Sequence, residues 1–163
     1  GPDNSDPEAP EFRVVRQLTR KGILVVVAAG NSGPKPQTIG SPGSAPDSLT
    51  VGAVDRQGKE ASFSSRPPTR LGLKKPDVYA PGVNIVSEST GLLQALQLSS
   101  PRFIALSGTS MATPHAAGVL ALAEELARSR GKTLTTPMVK DAMARYPDGL
   151  ITYPRLRKLV LGT

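Results

Sequence analysis

The feature that most restricts the fold is ILVVVAA, residues 23–29, an unbroken apolar run rich in β-branched side chains. A run this short cannot cross a membrane as a helix, which takes about 18 apolar residues or more. Its lack of alternation predicts instead a central strand buried on both faces. Such a strand belongs in a parallel sheet with helices packed on it. The rest of the chain suits that layout, because aromatics are only 4% of 163 residues and Trp is absent, so the core must come from Val, Leu, Ile and Ala. A chain of this length buries roughly 70% of the surface its unfolded form exposes, enough for one domain with a sizeable core.

Residues 1–11 are polar and proline-rich and read as a loop feeding a first helix, in which Phe12, Val15 and Leu18 recur at helical spacing before Gly22. Further strands are expected over 49–54, 78–80, 84–87 and 102–106, while residues 88–101 fit no pattern. A long helix is expected over about 109–130, nearly apolar through Leu122 and ended by Gly131. Thr136 as cap with Pro137 at the first helical position predicts another helix through Tyr146. A short helix from Pro154 closes the tail, residues 151–163. Strands alternating with helices indicate an α/β layered fold with a mainly parallel sheet.

Lys and Arg number 20 against 13 Asp and Glu, a net charge of +7. Nucleic-acid binding is the reflex reading of such a balance, but the basic residues are scattered, aromatics to stack bases are scarce and no nucleic-acid motif occurs. Neither nucleic acid nor a membrane is expected as a partner. Cysteine is absent, which removes disulfides and thiol catalysis alike. No signal peptide heads the sequence, which bears on location only if Gly1 is the natural start.

The chemistry gathers in LSGTSMATPHAAG, residues 106–118. A strand, a turn at Gly108 and then a helix put Ser110 at a helix N-terminus, where backbone N–H groups lack partners and the dipole favours negative charge. Thr109 is a natural cap. His115, the only histidine, lies five residues on: about 7.5 Å along the helix and about 140° around it, out of reach of a hydroxyl that a general base must approach to about 3 Å. It reads as a packing or hydrogen-bonding residue.

The second block is VVVAAGNSG, where a buried strand ends in small residues and then Asn31. That places a side-chain amide at the carboxyl edge of the sheet, where open α/β sheets bind ligands. Alone, Asn31 also reads as a turn former beside Gly30 and Gly33. Taken together, the Ser110 N–H and the Asn31 amide form two halves of an oxyanion hole for acyl transfer. A phosphate-binding βα unit is excluded because GNSGPKP runs into prolines where its helix should begin. An α/β-hydrolase elbow fails because it needs a histidine after its acid.

GTSMATPHAAG and VVVAAGNSG resemble the nucleophile and oxyanion-asparagine motifs of the subtilisin-like serine proteases, and SPGSAPDSLTVGAVD, ASFSS and KKPDVYAPGV match that family between them in the same order. The likeness runs over 12–150. It implies a subtilisin-like three-layer α/β fold with a mainly parallel sheet, of which residues 1–163 supply the C-terminal part of a single catalytic domain. Ser110 would be the nucleophile and Asn31 an oxyanion donor, with Ala28, Ala29 and Gly30 lining the primary specificity pocket and Gly40 at its floor. The glycine floor implies room for large, mostly apolar side chains. Met111 matches a family position where oxidation to the sulfoxide hinders the site, and it also reads as core packing.

The resemblance implies no cofactor for the chemistry. It offers one structural calcium site, from the carbonyls of Gly43, Ala45 and Ser48 with the Asp77 carboxylate; Asp77 reads equally as a brace for the loop before APG. Implied partners are a polypeptide substrate, the missing N-terminal half of the catalytic domain and a pro-segment inhibitor, and the implied location is secreted or extracellular. One departure matters most. The family carries an Asp in a D-T-G or D-S-G setting and a His in an H-G-T-H setting upstream; here Asp3 sits in PDN, Asp6 in SDP, and no histidine precedes Ser110. Either the chain is a fragment of an active protease, inactive alone, with Gly1-Pro2 ending a substrate-binding segment or left by tag removal, or it is a catalytically silent binding or scaffold relative.

Overall fold

The computed structural model describes residues 1–89 and 103–163. Its centre is a parallel sheet of three strands, β1 (Val26–Ala28), β2 (Leu49–Val54) and β3 (Val78–Pro81), in that spatial order. Val26 stands opposite Leu49, and Val51 opposite Val78. An antiparallel hairpin follows, β4 (Ile85–Glu88) with β5 (Phe103–Leu106), pairing Ile85 with Leu106. The helices are α1 (Pro10–Arg20), α2 (Thr109–Ser129), α3 (Thr136–Met143) and α4 (Tyr153–Leu161).

All residues of β2 are buried, as a continuous apolar strand between two neighbours should be. β1 departs from expectation. Its apolar run predicts a central strand, yet it forms an edge: among the described residues only β2 lies beside it, its residues are half-buried, and Ile23 just before it is 47% exposed. An apolar strand paired on one side only leaves backbone groups and side chains open.

Alternate residues of a strand face opposite ways, and that alternation sets the layers. Leu24 and Val26 pack into the main core with Ala112, Ala116 and Leu120 of α2, whereas Val25 packs with Phe12 and Val15 of α1. Helices therefore cover both faces. α4 packs along α2, burying Leu156 and Val160 in the same core as Val139 and Met143 of α3.

Helix ends follow local chemistry with small shifts. α1 is followed by Gly22 at φ 83° and α2 by Gly131 at φ 65°, the left-handed conformation that stops a helix. The cap of α3 falls one residue earlier than expected. Thr135, not Thr136, caps it by accepting the Met138 N–H at 3.4 Å, and the helix ends at Met143 rather than Tyr146. Arg102, expected to open β5, and most of 88–101 lie outside the described residues.

Candidate active site

β1 runs out at Ala28, but the chain stays tied to the sheet for one more residue through Ala29 N–H donating to Val51 O at 3.0 Å. Gly30 follows at φ 107°, and a Cβ there would stand 2.9 Å from Ser65 Oγ. Only glycine accepts both the backbone and the space, and the turn it makes delivers Asn31 to the start of α2. β3 ends in a matching way: Gly82 N–H donates to Val54 O at 3.0 Å, and Gly82 O accepts Gly108 N–H at 2.8 Å. The entry to α2 is thereby pinned to the carboxyl edge of the sheet.

The capping of α2 differs from the sequence expectation. Thr109 is the first helical residue and Gly108 the cap position, with no side-chain bond of its own. Instead Asn31 Oδ1 accepts both the Thr109 N–H and the Thr109 hydroxyl, each at 2.9 Å. That hydroxyl in turn accepts Gly30 N–H at 3.2 Å. Two donors on one amide oxygen fix which way the amide faces, so its NH₂ must look away from Thr109. A Cβ on Gly108 would come within 3.3 Å of Asn31 Nδ2, so glycine keeps that side open.

The other N–H groups of the first turn divide unequally. Met111 and Ala112 donate to Gly108 O at 3.0 and 3.3 Å. Among the described residues the Ser110 N–H, the Ser110 hydroxyl and Asn31 Nδ2 have no hydrogen-bond partner. His115 is exposed, and its Nδ1–H donates to Met111 O at 2.8 Å, one turn back along α2. It serves the helix, as its spacing implies. Pro114 has no N–H to give the Ser110 carbonyl, yet α2 continues unbroken through it.

Ser110 sits between two cavities. One, of about 660 Å³, is lined by Ala28, Ala29, Gly30, Asn31, Gly40 and Ser110, so all the residues expected to form a pocket share it. Asp3 and Arg70 also line it, and the Asp3 carboxylate accepts the Arg70 N–H at 2.5 Å. The sequence draws attention to Asp3 only as a poor match to a catalytic acid; nothing local signals a contact across 67 positions. The other cavity, of about 560 Å³, lies against the hairpin and takes in Ser110, Met111, His115, Ile85 and Leu106. Among the described residues no group of three or more His, Cys, Asp or Glu could hold a metal ion, and no helix is long and apolar enough to cross a membrane.

Comparison with known proteins follows the same lines. The subtilase family model matches residues 2–147. Serine protease AprX of Bacillus subtilis (strain 168) is 47% identical over 129 residues, covering 72% of this chain and 29% of AprX. Subtilisin BL of Lederbergia lenta is 40% identical over 119 residues, covering 73% of this chain and 38% of that protein. Among solved structures, the prenylagaramide maturation protease PagA superposes with a TM-score of 0.73 at 26% identity, over 99% of this chain and 60% of PagA. The fold is therefore the subtilisin-like α/β fold, and the chain spans well under half the length of either sequence relative. Likeness that runs this far along the chain, at these identities, shows that it belongs to the subtilase family.

Proposed function

We propose that this chain carries the nucleophile, the oxyanion donors and the specificity cavity of a serine endopeptidase, and that the histidine and aspartate completing its triad come from a part of the protein outside these residues. One observation carries the reading. Asn31 Oδ1 is engaged twice by Thr109, which turns Asn31 Nδ2 away from it, and among the described residues neither Nδ2 nor the Ser110 N–H has a partner, in a cavity that both residues line. Unpaired donors at a helix N-terminus suit an oxygen that becomes negative in the transition state.

Ser110 Oγ adds to the carbonyl carbon of a peptide bond while its proton passes to the histidine of the completed enzyme. The carbonyl oxygen, now charged, is held by Asn31 Nδ2 and the Ser110 N–H. Collapse breaks the C–N bond, the departing amine takes the proton from that histidine, and an ester remains on Ser110. Water hydrolyses the ester by the same route and frees the carboxylic acid. The cavity under Ala28, Ala29, Gly30 and Gly40 receives the substrate side chain on the acyl side.

The open edge of β1 is the natural place for the upstream half to add its strands, and His115, committed to Met111 O, is no substitute for the missing base. A pro-segment inhibitor and a location outside the cell belong to the same reading through the family. The test is labelling of Ser110 by a fluorophosphonate probe, with the chain alone and then with a polypeptide supplying the upstream half. Labelling that requires the partner supports the half-enzyme. A folded complex that stays unlabelled marks a silent binding domain.

A further inference from the structure

A second polar cluster lies at the opposite, amino edge of the sheet, independent of the reading above. Lys75, in the loop before β3, is only 2% exposed. Its ammonium donates to Ser48 O at 2.8 Å and to Asp77 Oδ2 at 2.6 Å. The same carboxylate oxygen accepts Thr50 N–H at 2.7 Å. The other carboxylate oxygen stands 3.6 Å from Nζ of Lys140 on α3, which itself donates to Pro46 O at 2.7 Å. Two ammonium groups thus tie the loop over 43–48 to β3 and to α3, with Asp77 between them.

The remaining oxygens expected around a calcium ion are also engaged. Gly43 O accepts the Thr50 hydroxyl at 2.6 Å, and Ala45 O accepts the Ser48 N–H and hydroxyl at 3.3 and 2.9 Å. Calcium takes six to eight oxygens at about 2.3–2.6 Å. Here a divalent ion on Ser48 O and Asp77 would collide with a buried ammonium of like charge, so these residues do not fit the metal.

We propose that Lys75 and Lys140 are the resident cations of this loop: their ammonium groups occupy the place of a structural calcium ion, and the loop holds its shape without one. The tethered segment adjoins the specificity cavity, whose lining includes Gly40, Ser41 and Pro42.

The test is thermal melting of the whole chain in EDTA and in millimolar calcium chloride, for the natural sequence, Lys75→Met and Asp77→Asn. The natural sequence is expected to melt within about 1 °C in both, and Lys75→Met about 8 °C lower in EDTA, as loss of one partner from a buried ion pair implies. A calcium-dependent rise in the natural sequence that Asp77→Asn abolishes overturns the proposal. So does a Lys75→Met variant that melts like the natural sequence in EDTA. If calcium raises both equally, the ion binds elsewhere and the Lys75→Met comparison decides. Should Lys75→Met fail to fold, Lys140→Met supplies the same comparison from the less buried partner.

Discussion

The two edges of the parallel sheet treat polar groups in opposite ways. At the amino edge, around Asp77, the carboxylate and the carbonyls of Gly43, Ala45, Pro46 and Ser48 each meet a donor, two lysines sit among them, and the buried Ser44 hydroxyl is the exception in that loop. At the carboxyl edge, Asn31 Oδ1 takes both Thr109 donors, while among the described residues the Asn31 NH₂ and the Ser110 N–H have no partner. A buried polar group left unpaired costs free energy that pairing would recover, whereas Asn31 and Ser110 are exposed, so water can serve their open donors until a ligand replaces it. Closed networks therefore hold the loops in place, and donors left open mark where a ligand is expected.

Ser110 is where the carboxyl edge is most vulnerable. In the assembled enzyme proposed above, Ser110→Ala should lower kcat by about 10⁶-fold, with an unchanged melt, measured by peptide hydrolysis and calorimetry. Next comes Asn31→Leu, expected to lower kcat by about 10²–10³-fold with little change in KM, the range already known for loss of the oxyanion-hole asparagine in a subtilisin. At the other edge Asp77→Asn should cost about 3 kcal/mol by denaturant titration, since it leaves Lys75 buried without its counter-charge; kcat per folded molecule should hold.

Thr109→Val keeps the shape but removes one of the two donors on Asn31 Oδ1, and should lower kcat by about fivefold through a looser amide. The smallest effect concerns Tyr79 on β3, whose hydroxyl donates to Glu60 Oε1 at 3.0 Å. Burial first, and the Glu60 carboxylate second, push its pKa well above the usual tyrosine value. A raised folded-state pKa gives stability that is fully present below the unfolded value of about 10 and is lost as pH climbs from there toward the folded value. Tyr79→Phe should therefore flatten that alkaline decline, by under about 1 kcal/mol at pH 10.5.

Much of the layout is legible because it is local. The apolar run of β2, the glycines after α1 and α2, and the failure of His115 to reach Ser110 all follow from spacing over a few residues. The features hidden from the sequence are long-range. The cap of α2 comes from Asn31, 78 positions away, whereas the nearest hydroxyl, Thr109, is the one that local reasoning selects. Lys74 is exposed and Lys75 buried, and KKP alone does not separate them, because one of the two acceptors that draw Lys75 inward is Ser48, 27 positions earlier. The apolar run of β1 identifies it as a strand, and the absence of the upstream strands implies an exposed apolar sheet edge, but periodicity does not count neighbours, and that β1 is the strand at that edge emerges only in three dimensions.

α2 carries Ser110, the proposed nucleophile, on its first turn and the core along the rest of its length, with Ala112, Ala116, Ala123 and Ala127 all at 2% exposure or less. Those alanines let a rod of 21 residues, about 31 Å at the usual rise, lie close against the sheet. A rod held so tightly acts as a lever. A bulkier side chain near its far end, at Ala123 or Ala127, would tilt it by a few degrees and swing Ser110 by about an ångström, which is enough to cost about 100-fold in rate. Heat that softens the far end of α2 should silence the serine before it unfolds the chain.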